Sequence, residues 1–244
     1  MIKYAVVDRR MEEDMRSKLE AEAYKIVESY DHKNLYDAIR SHVDIGLFAV
    51  GDKLIASKES YAYYQTAIGD KLLKHSIISG SRYLGLKYPE DIAYNFSFSG
   101  KYGIGKLDNI DPAVINAVLD QVPTIELIDV RQGYAACSIC WVDERSLITS
   151  DRGIAKVLRA YDIDVLEIDK GHIDLFDMDY GFIGGATSSL EDGRIVFFGD
   201  VYSHPDGERM VEFIRSKSKE YLCLSSGRLK DYGGMLVICE QVIK

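Results

Sequence analysis

The sequence predicts an α/β fold: a five-bladed α/β propeller of ββαβ units with pseudo-five-fold symmetry. Three observations predict it. A hairpin–helix–strand order recurs along the 244 residues, the repeat length is about 49 residues, and an apolar C-terminal strand can pair with the N-terminal one. A doubly wound sheet also alternates strands and helices, but it would show single strands where this chain shows hairpins. A closed ring also leaves no sheet edge to protect. Proline is rare and no linker or low-complexity segment interrupts the chain, so residues 1–244 read as one domain.

The elements follow in order. Lys3 to Asp8 reads as a strand, and Leu19, Ala23, Ile26 and Val27 as a helical stripe ending in a turn of strand. Asp44–Val50 and Lys53–Ala56 flank a Gly51-Asp52 turn, Ser57 caps a helix toward Ile68, and His75–Ser79 is a strand. The next unit has a strand from Ala93 and a glycine-rich turn over Gly100–Gly105. Asp111-Pro112 then opens a helix to Leu119, and Thr124–Val130 is the closing strand. Ala136–Val142 and Ser146–Thr149 form a hairpin, Ser150 or Asp151 caps Ile154–Tyr161, and Asp164–Asp169 leads out. Phe182–Thr187, Ile195–Phe198, a helix opened by Ser203 and Pro205, and Tyr221–Leu224 make another unit. Met235–Cys239 then pairs with the first strand and closes the ring.

Composition narrows the function classes. A chain with 47% hydrophobic and 28% charged residues can bury a sizeable core. A net charge of −9 without a basic stripe argues against a nucleic-acid partner. No apolar run reaches the roughly 18 residues of a membrane span, and MIKYAVVDRR resembles no leader, so a cytoplasmic location is expected. Four cysteines are too few for a disulfide framework.

The most informative stretch is Gly171–Ser189, which reads as extended. It sets His172 and Asp174 on one strand face, a proton-transfer group beside an anion, which suits a cationic, nitrogen-rich ligand. A ring of such units, with His-x-Asp entering the last blade, resembles the pentein fold of guanidine-group-modifying enzymes, closest to an uncharacterised bacterial family within it. That superfamily includes arginine deiminase, dimethylarginine dimethylaminohydrolase and the amidinotransferases. The resemblance implies His172 as proton shuttle, Asp174 as guanidinium-binding carboxylate and a cysteine near the C-terminus as nucleophile. Two positions depart from it. The family's acidic Glu-Gly-Gly-Asp turn falls on Arg131-Gln132-Gly133-Tyr134, and its nucleophile position falls on Val237 after Gly233-Gly234. Cys239, two residues on and on the same strand face, is then the nucleophile candidate.

Other candidates surround this set. Asp8 and Arg9 end the first strand, and an arginine there can pair a substrate carboxylate. Gln132 and Tyr134 share a face and can replace the lost carboxylates with neutral hydrogen bonds. Gly184 and Gly185 allow close backbone approach to a ligand or make a bulge. Cys137-Ser-Ile-Cys140 lies in an expected strand, where i and i+3 face apart, so neither a redox pair nor a metal site follows; Cys137 ranks behind Cys239 as a reactive thiol. His32, His42 and His75 read as structural or surface residues. Tyr61, Tyr63 and Tyr64 form an aromatic patch for packing or for a homo-oligomer contact.

The expectation is a hydrolase or amidinotransferase acting on a small guanidino, amidino or ureido compound, with no cofactor and no metal. A small-molecule ligand is expected, without nucleic acid or membrane. The alternative is a non-catalytic ring for a metabolite or protein partner, similar to the ribosomal anti-association factor, translation initiation factor six.

Overall fold

Each repeat resolves into a three-stranded sheet in the computed structural model, which describes residues 1–240. In chain order the elements begin with β1 (Ile2–Val7), α1 (Glu13–Ala21) and β2 (Tyr24–Glu28). The second unit is α2 (Val43–Gly46), β3 (Leu47–Val50), β4 (Lys53–Ala56), α3 (Tyr61–Ala67) and β5 (Ser76–Ser79). The third is β6 (Ser97–Phe98), β7 (Tyr102–Gly105), α4 (Pro112–Gln121) and β8 (Glu126–Asp129). The fourth is α5 (Ala135–Ser138), β9 (Cys140–Asp143), β10 (Ser146–Thr149), α6 (Arg152–Leu158) and β11 (Asp164–Glu167). The fifth is β12 (Thr187–Ser189), β13 (Ile195–Phe197), α7 (Gly207–Ser216) and β14 (Tyr221–Cys223), and β15 (Leu236–Glu240) returns to β1.

The five sheets share one connectivity. The middle strand pairs antiparallel with the strand before it and parallel with the strand after its helix, as in β3–β4–β5. In the first sheet the preceding strand is β15, so the two chain ends meet, with Lys3 opposite Cys239 and Ala5 opposite Val237.

The apolar core is divided among the units. Each helix packs into a cluster shared by its own sheet and the preceding one. Val114 and Val118 of α4 meet Phe48 and Ile55, and Met210 and Ile214 of α7 meet Val142 and Ile148. Met15 and Leu19 of α1 meet Val196 and Phe198, which joins the fifth unit to the first. Burial of these faces, rather than helix propensity, stabilises helices only seven to ten residues long.

Several boundaries differ from the sequence reading. The Gly100–Gly105 stretch is a short turn followed by strand β7, and Ser57 opens a turn ahead of a helix that begins at Tyr61. The tyrosines of α3 turn inward: Tyr64 is buried and accepts from the Tyr30 amide, and Tyr63 donates to the Glu28 carbonyl. Asp44–Gly46 and Ala136–Ser138, expected as the starts of strands, are helical turns, and residues 183–186 also turn. Cys137 therefore stands on a helical turn and not on a strand. The physical reason is that these segments hydrogen-bond to one another across units instead of joining a ladder.

Asp111 illustrates how a single carboxylate holds two units together. It caps α4 through the Ala113 amide (2.8 Å) and accepts from the Ser81 and Arg82 amides (2.9 and 2.7 Å) and the Tyr94 hydroxyl. A cap contributes about 1 kcal/mol, and each buried donor left unpaired costs about 1–3 kcal/mol more. Asp111→Ala is therefore expected to destabilise by about 3 kcal/mol or more, read as a lower urea midpoint, with Asp111→Asn milder. Equal midpoints for Asp111→Ala and the parent would refute this account.

Candidate active site

One residue or residue pair just ahead of the first strand of each sheet converges on a common point. These are His42 and Asp44 before β3, Asn95 before β6, Cys137 before β9, Gly184-Gly185 before β12, and Asp231 with Gly233 before β15. Their hydrogen bonds form a closed cycle. The Asp44 amide donates to the Gly233 carbonyl (3.2 Å), Asn95 Nδ2 to the Asp44 carbonyl (3.4 Å), and the Ala136 amide to Asn95 Oδ1 (2.8 Å). The Gly185 amide donates to the Cys137 carbonyl, and the Tyr232 and Gly234 amides donate to the Gly185 carbonyl (all 2.9–3.0 Å).

Such close approach requires glycine. A Cβ on Gly184 would lie 2.2 Å from the Ala136 carbonyl oxygen, one on Gly185 1.8 Å from Asp231 Oδ1, and one on Gly233 2.2 Å from His42 Cβ. Gly233 also has φ +66°, a conformation that side-chain-bearing residues rarely adopt.

The side chains inside this cycle carry chemistry. Cys137 Sγ donates to Asp44 Oδ2 at 2.8 Å and accepts from Asn95 Nδ2 at 3.2 Å. His42, Asp44 and Cys137 bring one nitrogen, one oxygen and one sulfur within 4.8 Å of one another. His42 Nδ1 lies 3.8 Å from Asp231 Oδ1, and both residues are buried. Neither His42 nitrogen nor Asp44 Oδ1 has a hydrogen-bond partner among the described residues. Asp231 accepts from the Phe182 and Gly233 amides (2.8 and 2.9 Å). Asp8, fully buried, is clasped by Arg10, which also stacks 4.0 Å from the Phe176 ring centroid.

The charges are set by enclosure. Burial pushes the Asp44 carboxyl up to about 8, with Asp231 adding to the rise. Burial also raises Asp231, and raises the Cys137 thiol well above its usual range with Asp44 and Asp231 beside it. Burial lowers His42 against the pull of Asp231 and Asp8, so its imidazole is neutral. Among the described residues that line the cavity beside His42, Cys137 and Asp231 there is no lysine or arginine.

A stability signature follows. A carboxyl raised in the folded state contributes stability that is complete below its unfolded value, near 4, and lost as pH rises through about 8. Asp44→Asn removes that loss. The melting-temperature difference between Asp44→Asn and the ligand-free parent is expected to grow from pH 4 to pH 8, in favour of the variant. A difference independent of pH contradicts an uncompensated Asp44.

A cavity of about 290 Å³ opens onto this set, lined by His42, Cys137 and Asp231 and walled by Tyr36, Tyr134, Tyr180 and Phe182. A second, of about 270 Å³, lies on the side of Asp44, Phe96, Trp141 and Met235. Tyr134 donates to Asp91 and meets the Tyr36 hydroxyl, both at 2.7 Å, which fixes one wall.

The residues singled out in the sequence are dispersed. Gly171–Gly181 is irregular rather than a strand, so His172 and Asp174 do not share a strand face. His172 packs against His204 (centroids 5.3 Å apart) and lines another cavity with Gln132, Asp151, Arg152 and Lys170. Gln132 donates to Asp151 at 2.7 Å. Asp174 is exposed and pairs with Arg228 at 3.1 Å. Cys239 faces Lys3 across β15 and β1, with Glu191 nearby, and shares none of these neighbours. Arg9 lies by Glu28 and Asp31, while Arg10 holds Asp8. Tyr134, Gly184 and Gly185 lie at the convergence point. The sequence reading missed His42, Asp44, Asn95 and Asp231. Their signal was positional: 44, 95, 137, 184 and 231 recur at intervals of 42 to 51 residues.

Residues 6–236 match a family of unknown function, DUF6873. The chain belongs to that family. No curated protein matches the DUF6873 chain. Among solved structures, it is similar to a mutant dimethylarginine dimethylaminohydrolase from Pseudomonas aeruginosa complexed with citrulline. The two are 10% identical with TM-score 0.57, and the match covers 93% of each chain. It is also similar to C. jejuni agmatine deiminase, at 9% identity and TM-score 0.54, over 92% of this chain and 78% of that one. An amidinotransferase of saxitoxin biosynthesis from Microseira wollei gives 10% and 0.54, over 91% and 77%. At such identities the likeness shows the fold alone: the DUF6873 chain has the pentein fold. Among the described residues no helix is long and apolar enough to cross a membrane.

Proposed function

We propose that the five sheets close into a single-domain propeller and that the protein acts on a small guanidino or amidino cation through Cys137. The observation that carries this reading is a thiol hydrogen-bonded to Asp44, beside an unpartnered imidazole and a second buried carboxylate, at the floor of an aromatic-walled cavity. Two enclosed carboxylates, with no lysine or arginine among the described residues that line the cavity, favour a cationic ligand. A flat amidinium fits between carboxylate acceptors and tyrosine faces. The 290 Å³ volume lies at the low end for ligand sites and suits a small compound. That the similar structures are guanidino-acting enzymes by name supports the same class.

The chemistry follows from the arrangement. A bound cation draws Asp44 and Asp231 into their charged forms, and Asp44 then accepts the thiol proton at 2.8 Å. The thiolate attacks the amidinium carbon, and the leaving amine takes the proton held by Asp44. Neutral His42 next withdraws a proton from a water, or an acceptor amine, that attacks the thiouronium carbon. The C–S bond breaks and His42 returns a proton to Cys137.

Chloroacetamidine tests the site directly, because it is a small amidinium that alkylates thiols. Mass spectrometry is expected to find it on Cys137, while neutral iodoacetamide prefers the more exposed Cys223 and Cys239. Labelling of Cys239 in preference to Cys137 would overturn Cys137 as the nucleophile. A panel of guanidino, amidino and ureido compounds, read by thermal shift and turnover, decides the class. Binding without turnover of any hit would favour the binding-protein reading.

A further inference from the structure

The cluster of His42, Asp44 and Cys137 has a second use that does not depend on turnover. We propose that it binds Zn²⁺, with Cys137 Sγ, one His42 ring nitrogen and an Asp44 carboxylate oxygen as ligands, and that the metal and a cationic substrate exclude each other.

Geometry supports the ligand set. The three donor atoms lie within 4.8 Å of one another. Bond lengths of about 2.0–2.3 Å place the ligands of a tetrahedral zinc about 3.5 Å apart. Side-chain adjustments of about an ångström therefore suffice, without moving the hydrogen-bonded cycle. Both His42 nitrogens and Asp44 Oδ1 are enclosed and lack partners among the described residues, and His42 is only 2% exposed. A buried imidazole with two unused nitrogens costs free energy that a metal ligand bond would recover.

Donor chemistry selects the ion. Thiolate, imidazole and a single carboxylate suit zinc, whereas magnesium and calcium favour all-oxygen sets. The thiol proton is released on binding, so Zn²⁺ with one thiolate and one carboxylate forms a neutral unit in an otherwise acidic pocket. Three protein ligands leave the fourth position for water on the cavity side, where His42 and Cys137 face the 290 Å³ space. Asn95 Nδ2, 3.2 Å from the sulfur, and Asp231, 3.8 Å from His42 Nδ1, are placed to orient the ligands. Because the metal occupies the sulfur and neutralises the same carboxylate, it acts as a brake on the proposed chemistry.

The test uses Co²⁺ on the chelator-stripped full-length protein, without substrate. One equivalent is expected to produce a thiolate-to-cobalt charge-transfer band in the near ultraviolet, erased by added Zn²⁺. Cys137→Ser is expected to lose the band, and Cys223→Ser and Cys239→Ser to keep it. In competition with a chromophoric chelator, His42→Ala is expected to weaken Zn²⁺ by more than about 100-fold, and Asp231→Asn by about 10–100-fold. A thermal melt of Cys137→Ser confirms that the variant is folded. Absence of the band at one equivalent, or its survival in folded Cys137→Ser, overturns the proposal. Failure of the catalytic reading looks different: the band appears, yet no guanidino compound is turned over after chelation.

Discussion

Serine in place of Cys137 is expected to reduce turnover of a guanidino substrate by at least about 10³-fold in kcat/KM. The serine hydroxyl can accept the same hydrogen bond from Asn95 and donate to Asp44, so the fold and the cation pocket remain. What disappears is a nucleophile that deprotonates when a cation arrives. A hydroxyl is a far weaker acid than a thiol, and Asp44 is too weak a base to ionise it. Ligand affinity by thermal shift should therefore survive while rate is lost, and the Cys239→Ala variant should keep full rate. Loss of rate in Cys239→Ala with an active Cys137→Ser would move the nucleophile to the first sheet.

The second large effect concerns stability. Gly184→Ala places a methyl group 2.2 Å from the Ala136 carbonyl oxygen and 2.6 Å from those of Cys137 and Ile139. All three obstacles are backbone, so no side chain can swing aside. The change should cost about 3 kcal/mol or more, a fall in melting temperature of roughly 6–12 °C for a chain of this size. Gly227→Ala, whose Cβ meets only Ser225 Oγ at 3.4 Å, should stay within about 0.5 kcal/mol. If Gly184→Ala melts within about 2 °C of the parent, the convergence of the five segments is looser than described.

The repeat was legible because hairpins and helices leave local patterns. Asp111-Pro112 at the start of α4 is read correctly from capping chemistry alone, and of the two caps expected for α6, Ser150 or Asp151, the structure uses Asp151. The pairing of Met235–Cys239 with the first strand followed from two apolar runs with no other partner in the repeat. The irregular Gly171–Gly181 segment misled, since apolar residues alternating at Ile173 and Leu175 and again at Phe176, Met178 and Tyr180 mimic a strand. In the structure this segment makes only isolated bridges, Asp174 to Lys230 and Leu175 to Met178.

The candidate site was much less legible. His42 has no near sequence neighbour of matching chemistry apart from Asp44, and Cys137, expected on a strand, ranks behind Cys239 as a reactive thiol. A His-x-Asp pair occurs three times in the chain, at His42–Asp44, His172–Asp174 and His204–Asp206. Only tertiary contacts separate them: Asp44 meets a thiol, Asp174 pairs with Arg228, and Asp206 pairs with Arg209.

The sequence by itself determined the five-unit α/β order, the starts of α4 and α6 and the meeting of the chain ends, because periodicity and capping act within a few residues. Tertiary structure alone decided which histidine, carboxylates and thiol meet. His42 and Asp44 come from one turn of the repeat and Cys137 and Asp231 from two others, and the backbone groups of those turns bond across units rather than along the chain. That cross-unit bonding converts apparent strand ends into the turns that carry Asp44 and Cys137 to one point.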